Sequence, residues 1–130
     1  MGGDPPVLRL DLEPTSEAPS LARAAITGFC ENLECARPIL STLVLLVSEV
    51  VTNAVLHPNL SEPAGILFWA RIAEHEIRVE VTDHGNGFTP QPRDPNRADG
   101  GYGLYLVSKV ASRWGVDRGN GTTVWFEVAT

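Results

Sequence analysis

The run Val79-Glu80-Val81-Thr82-Asp83-His84-Gly85-Asn86-Gly87 decides how this chain is read. Ile77, Val79 and Val81 alternate with Arg78, Glu80 and Thr82, the period-2 pattern of a strand with one buried face. The strand runs into Asp83, and the glycines at 85 and 87 allow a sharp turn and a close approach by something flat. An ionised carboxylate accepts hydrogen bonds and donates none. At that strand end it suits the exocyclic amine of adenine and would repel the carbonyl oxygen of guanine. Taken alone, the run is also that of an Asp-x-Gly-x-Gly surface turn.

On the N-terminal side, Gly65 to Ile72 and Glu76 to Thr82 read as two strands of an antiparallel hairpin joined by Ala73-Glu74-His75. Further upstream, Ala36 to about His57 reads as a long helix with Pro38 in its first turn and Pro58 as its stop. Leu40, Leu43, Val44, Val47, Val51 and Ala54 form its core stripe. On the other side Thr42, Glu49 and Asn53 cluster, flanked by Leu45, Leu46 and Leu56, a polar spot in an apolar wall. Glu49 and Asn53 stand four residues apart, so both side chains project into one space. An incidental exposed Glu–Asn pair has the same spacing. Before this helix, Val7 to Leu12 alternates as a first strand. A helix capped by Ser16 or Ser20 follows, with Leu21, Ala25, Phe29 and Leu33 as its apolar face and Pro19 in its first turn.

Downstream, residues 88–100 contain Pro90, Pro92 and Pro95 and little apolar content, which predicts a mobile lid. Gly100-Gly101-Tyr102-Gly103 opens a helix whose face holds Leu104, Val107, Ala111 and Trp114. Free backbone N–H groups at such a start suit phosphate oxygens, although a Gly-Gly pair also suits a plain loop end. Lys109 and Arg113 stand four apart on this helix and read as a solvated face. A strand around Val116 and another from Thr122 to Val128, with Val124, Phe126 and Val128 on one side, close the chain around an Asn120-Gly121 turn.

The 130 residues, 43% of them hydrophobic, are enough for one self-supporting core. A net charge of −6 and a pI near 4.9 argue against nucleic acid or an anionic membrane as the main partner. Any polyphosphate must then be held by backbone N–H groups and a metal ion. Cys30 and Cys35 fit neither a zinc site nor a disulfide framework and read as inert thiols of a reducing compartment. No stretch approaches the ~18 continuous apolar residues of a membrane span, so a cytoplasmic location is expected.

Four features follow in chain order: Glu49-x-x-x-Asn53-Ala54, Asp83-x-Gly85-x-Gly87, Gly101-x-Gly103-Leu104 at a helix start, and Gly121-Thr122-Thr123 before a strand. In that order they resemble the ATP-binding fold shared by gyrase, the heat-shock chaperone, MutL and histidine kinases, over about Leu8 to Val128. The compact size narrows the resemblance, as do the stretches Leu-Val-Ser-Glu-Val-Val-Thr-Asn-Ala-Val-Leu-His, Ser-Arg-Trp-Gly-Val and Gly-Thr-Thr-Val-Trp-Phe-Glu. With these the chain resembles the bacterial anti-sigma-factor serine/threonine kinases. The resemblance implies an α+β fold, a two-layer α/β sandwich with about three helices on one face of a mixed, mostly antiparallel sheet. It implies a tail over residues 1–6 and one histidine-kinase-like domain over 7–130.

It further implies ATP and Mg²⁺ as cofactors, with Glu49 as general base and Asn53 as the Mg²⁺ ligand. Asp83 would bind the adenine amine, Gly85 and Gly87 would line its pocket, and Thr123 would sit near the ring. Gly101, Gly103 and Leu104 would stand at the phosphates. By the same resemblance, Tyr102 and Leu56 occupy positions where relatives often carry a basic residue, which leaves Arg93 and Arg97 as substitute lid contacts. His57, His75 and His84 are not set in a phosphoacceptor helix and read as non-acceptors. The implied partners are a sigma factor and a small anti-anti-sigma protein, with a homodimer allowed by the same analogy. A non-catalytic ATP-binding regulator that sequesters a protein, and a simple ATPase, are the alternatives.

Overall fold

The structure is a computed structural model that describes residues 5–56, 65–83, 102–119 and 121–130. In chain order the elements are β1 (Val7–Leu12), α1 (Ala18–Glu31), a 3₁₀ turn (Glu34–Ile39), α2 (Leu40–Leu56), β2 (Ile66–Ile72), β3 (Glu76–Asp83), α3 (Tyr102–Val110), β4 (Arg113–Gly119) and β5 (Gly121–Ala129). The five strands form one sheet in the order β1-β2-β3-β5-β4, and all four pairings are antiparallel. The two-layer α+β architecture is as expected, with no parallel pair among the described strands. Pro6, assigned to the tail, accepts a hydrogen bond through its carbonyl from the Ile72 N–H at 3.1 Å.

Period-2 alternation sorts the sheet into two faces. Ile66, Phe68, Ala70 and Ile72 on β2, Ile77, Val79 and Val81 on β3, and Val124, Phe126 and Val128 on β5 are buried. They pack under the helices in one core with Ile26, Leu43, Leu46, Val47 and Val107. Burying each such side chain is worth about 1.5–3 kcal/mol, which is why the alternation fixes the register.

The helices depart from expectation in three places. On α1 the buried residues are Ala18, Ala22, Ile26 and Cys30, one position on from the predicted face, and Leu21 is 52% exposed. Small alanines let this helix lie close to its neighbours, and Arg23 Nη1 donates to Ser48 Oγ of α2 at 2.9 Å. Neither Ser16 nor Ser20 caps α1. Its cap residue is Glu17, with Pro19 in the first turn.

The long helix begins at Leu40 and not at Ala36. Proline lacks the N–H for an i→i−4 bond and clashes with the preceding turn, so the segment holding Pro38 takes 3₁₀ geometry, ending with Leu40 N–H donating to Arg37 O. The stretch Ala36–Val55 is long and apolar enough by length and composition to cross a membrane, although Arg37, Ser41, Thr42, Ser48, Glu49, Thr52 and Asn53 interrupt it and it is no continuous apolar run. Here Leu43, Leu46, Val47, Val50 and Val51 fill the sandwich core.

The third departure follows α3. Ala111 N–H still bonds to Val107 O at 2.9 Å, but Ser112 N–H turns to Glu127 O at 2.8 Å and the chain becomes β4. Trp114 and Arg113 therefore lie on a strand, and Trp114 is 39% exposed. Gly119 pairs with Gly121, whose φ of 143° lies where glycine is favoured. Asn120 lies outside the described residues.

No described helix lies over the second face of the sheet, which is a grid of cross-strand neighbours. One row runs Arg71, Arg78, Glu127, Arg113, and the next runs Arg9, Trp69, Glu80, Trp125, Gly115. Glu127 is 3% exposed and accepts from Arg78 Nη1 and from Arg113 Nε, each at 2.7 Å. The bond from Arg113 holds its carboxyl below the usual value of 4.5, against the upward push of burial and with help from Arg78. The Arg78 guanidinium also stacks 4.1 Å from the Trp125 ring centroid. Beneath that indole lies Gly115, where a Cβ would sit 2.8 Å from Trp125 Nε1.

Candidate functional site

Helix α2 packs on β3 and on α3, so its polar side chains belong to the same layer as the end of β3. Along α2, Thr42 and Glu49 are partly buried, and Asn53 is 8% exposed. Glu49 and Asn53 are one helical turn apart on one face. Leu46, expected to flank this spot, is fully buried in the core, while Leu45 is 45% exposed one turn before Glu49. The side chain of Leu56 lies outside the described residues.

Strand β3 delivers the second polar group. Asp83 continues the alternation of Ile77, Val79 and Val81, so its carboxylate points to the helix side, where it is 5% exposed. A carboxylate so withdrawn from water is costly to bury unless it accepts hydrogen bonds, and buried ionisable groups of this kind cluster at functional sites.

Across the ladder, Asp83 stands opposite Thr122, itself 5% exposed on the same face. Thr123, the residue expected beside the adenine, projects from the other face, where its hydroxyl shares a 2.8 Å hydrogen bond with that of Thr82. This corrects the sequence reading: the hydroxyl that accompanies Asp83 is Thr122. The signal was present, since Val124, Phe126 and Val128 face the core and Thr122 has their parity.

Leu104 is partly buried against the core, next to fully buried Val107, and Gly103 lies in the first turn of α3. Gly85, Gly87, Gly101, the lid over 88–100 with Arg93 and Arg97, His57, His84 and the Tyr102 side chain lie outside the described residues. Tyr105, exposed on α3, carries Lys109 over its ring at 5.4 Å. A cavity of about 250 Å³ lined by His75, Glu76, Ser112, Arg113, Glu127 and Ala129 lies at the start of β3, the end of the strand away from Asp83.

These residues fit a magnesium nucleotide. Among the described residues no group of three or more His, Cys, Asp or Glu side chains could hold a metal. A dedicated cage is not what Mg²⁺ needs, because it keeps several waters and is usually bound by one or two protein oxygens plus substrate phosphates. The Asn53 amide oxygen is such a donor, and Asp83 with Thr122 offers acceptor and hydroxyl chemistry to an adenine edge.

A two-layer sandwich with an N-box-like helix, a buried aspartate ending a strand and a glycine-opened helix defines a class of ATP-binding domains. The chain belongs to the histidine kinase-like ATPase domain family, whose model matches residues 12–128 and whose members bind ATP with Mg²⁺. Within it, the chain is similar to an anti-sigma F factor of Anoxybacillus flavithermus, 31% identical over 81 residues, covering 62% of this chain and 56% of that protein. An anti-sigma F factor of Clostridium perfringens is 33% identical over 81 residues, 62% and 58% of the two chains. The chain thus matches a little over half the length of these relatives. A crystal structure of the RsbU and RsbW domains of a Mycobacterium tuberculosis protein superposes with a TM-score of 0.74 at 24% identity, over 95% of this chain and 32% of that one. That likeness is one of fold.

Proposed function

We propose that this chain is an ATP-dependent serine/threonine protein kinase acting as an anti-sigma factor, with a small anti-anti-sigma protein as its phosphoacceptor. The observation that carries the reading is the pairing of Glu49 and Asn53, one turn apart on α2, with Asp83 buried at the end of the strand against which α2 packs. The similarity to anti-sigma F factors supports the choice of acceptor class and of a sigma factor as the second partner. A cytoplasmic location belongs to the same reading.

Asp83 accepts a hydrogen bond from the adenine amine, and Thr122 places a hydroxyl beside it. By the resemblance, Gly101 and Gly103 offer backbone N–H groups to the phosphate oxygens, and Leu104 packs that helix start against the core. Asn53 would hold Mg²⁺ through its amide oxygen, and the ion would supply charge neutralisation at the phosphates. Glu49 takes the proton from the acceptor hydroxyl as that oxygen bonds to the γ-phosphorus and the bond to the leaving diphosphate breaks. The protein's own contribution is position and a proton acceptor, which suits phosphoryl transfer.

The test is transfer of label from γ-labelled Mg-ATP to small proteins in extract of the native host, comparing wild type with Glu49→Ala. One labelled small protein that depends on Glu49 is expected. Confirmed ATP binding without any labelled protein would overturn the kinase assignment and leave a nucleotide-dependent binding module.

A further inference from the structure

On the basis of the proposed kinase activity, we infer that the exposed Leu45 selects the acceptor, taking an apolar side chain that stands within about two residues of the hydroxyl to be phosphorylated. Four side chains of α2, Ser41, Leu45, Glu49 and Asn53, recur every fourth residue and so form one continuous ridge along the helix. Water leaves that ridge step by step: Ser41 is exposed, Leu45 is 45% exposed, Glu49 is partly buried and Asn53 is 8% exposed. The ridge therefore runs from the surface into the site. Among the described side chains of α2, Ser41 and Leu45 alone are exposed. The other apolar ones are buried in the core or packed against its rim, and Leu45 belongs to neither set.

Phosphoryl transfer fixes the side from which the acceptor comes. The attacking and leaving oxygens lie roughly in line through the phosphorus. Phosphates held at Asn53 occupy the buried end of the ridge, so the acceptor hydroxyl reaches Glu49 from the open end, across Leu45. Each step of the ridge rises about 6 Å, and an extended chain covers that distance in about two residues. The side chain that meets Leu45 is therefore a near neighbour of the acceptor residue. Its chemistry is set by what α2 offers, since Leu40–Leu56 holds no Lys or Arg and Glu49 is its one charged residue. An acidic neighbour would find no cation on this helix, and a basic one would pair with Glu49 and lower its basicity. An apolar neighbour takes Leu45 out of water and is favoured by doing so.

The probe is the small protein of the native host that γ-labelled Mg-ATP labels, purified and mapped to its labelled residue. Leu45→Gln keeps a good helix former of similar size and should raise KM for that protein about five- to tenfold, with kcat and the ATP dissociation constant unchanged. Leu45→Met should keep the wild-type KM. Replacing the acceptor's apolar neighbour by Gln should raise the wild-type KM as much and add little in Leu45→Gln, because partners in contact are not additive. Val110→Gln, of like exposure at the far end of α3, should change nothing. An acceptor with no apolar residue within about two positions of its labelled residue overturns the inference. A Leu45→Gln enzyme with the wild-type KM, one that also loses ATP affinity, or a Val110→Gln enzyme equally impaired does the same. Absence of any labelled protein with the wild type is a different failure, which overturns the kinase activity and the role of Leu45 with it.

Discussion

On the helix-covered face of the sheet, polar groups are few and withdrawn from water: Asp83 and Thr122 sit among Val79, Val81, Val124 and Phe126, under a helix that adds Asn53. On the open face they are many, and they bond to one another: Arg78 to Glu80 and Glu127, Arg113 to Glu127, Thr82 to Thr123. Both sets come from the same strands, often from adjacent residues. Buried polar side chains converging in a layer otherwise built to exclude water suit a ligand site, and the bonded network of the open face ties its strands together. Each face can be perturbed while the other serves as its control.

The largest effect should come from the covered side. Glu49→Ala removes a partly buried carboxylate outside the hydrophobic core cluster, so phosphotransfer to the acceptor should fall by roughly 10²–10⁴-fold while ATP still raises the melting temperature. Loss of both would show that Glu49 holds the fold or the nucleotide and is not the base.

Asp83→Asn comes next. It keeps the shape and turns an acceptor atom into a donor facing the adenine amine, so ATP affinity measured by calorimetry should fall about ten- to a hundredfold, the worth of a hydrogen bond to a charged group. The matched pair across the sheet sharpens the comparison. Thr122→Val should weaken ATP binding, and Thr123→Val, which breaks only the bond to Thr82, should not. The reverse order would restore Thr123 as the nucleotide residue.

That Thr122/Thr123 pair also marks how far the sequence could be read. Alternation named Val124, Phe126 and Val128 as the inward set, which already fixed Thr122 inward. Family likeness points instead to the adjacent threonine, and a one-residue slip on a strand is a change of face. On α1 the slip had another cause. Leu21, Ala25, Phe29 and Leu33 are on average more hydrophobic than Ala18, Ala22, Ile26 and Cys30. Close helix packing prefers small side chains, so hydrophobicity alone picks the neighbouring stripe, of which Phe29 and Leu33 pack against the core's rim while Leu21 is exposed. Strands β1, β2, β3 and β5 were legible because apolar and polar residues strictly alternate there. The polar grid of the open face was invisible, because Arg78, Glu127 and Arg113 meet only once the register is set. So was the end of α3, where the spacing of Val107, Ala111 and Trp114 is helical but Ser112 N–H bonds to a strand.

Gly115→Ala perturbs the open face and spares the covered one. The new methyl would lie 2.8–2.9 Å from three atoms of the Trp125 indole, and the ring, stacked under Arg78, has to shift. Overpacking of this kind costs about 1–3 kcal/mol. The urea midpoint should fall with an unchanged slope, and the ATP dissociation constant of the folded variant should stay the same. Unaltered stability would mean that the indole moves freely and the grid is not pre-ordered.

The smallest effect is a matter of pH. Arg113 donates to a Glu127 carboxylate that is shut off from solvent, and that bond lowers the folded-state pKa beneath the 4.5 of the free carboxyl. Above 4.5 the carboxylate is charged in both states and the bond's stabilisation is fully present. As the pH falls below 4.5 the unfolded chain takes up the proton first, so stability drops, and the contribution is gone once the pH has passed below the folded-state pKa. Urea unfolding of the wild type from about pH 6 down to about pH 3 should therefore show a loss that begins below 4.5. Arg113 is itself largely exposed, its side chain 68% accessible, so Arg113→Gln removes the charge at little cost in packing and leaves Glu127 to Arg78. The acid limb of the stability curve should then become shallower, because the folded and unfolded values draw together. An identical limb in the variant would mean that Arg78 alone holds the carboxylate and that the edge strand β4 is tied to the sheet by its backbone ladder and not by charge.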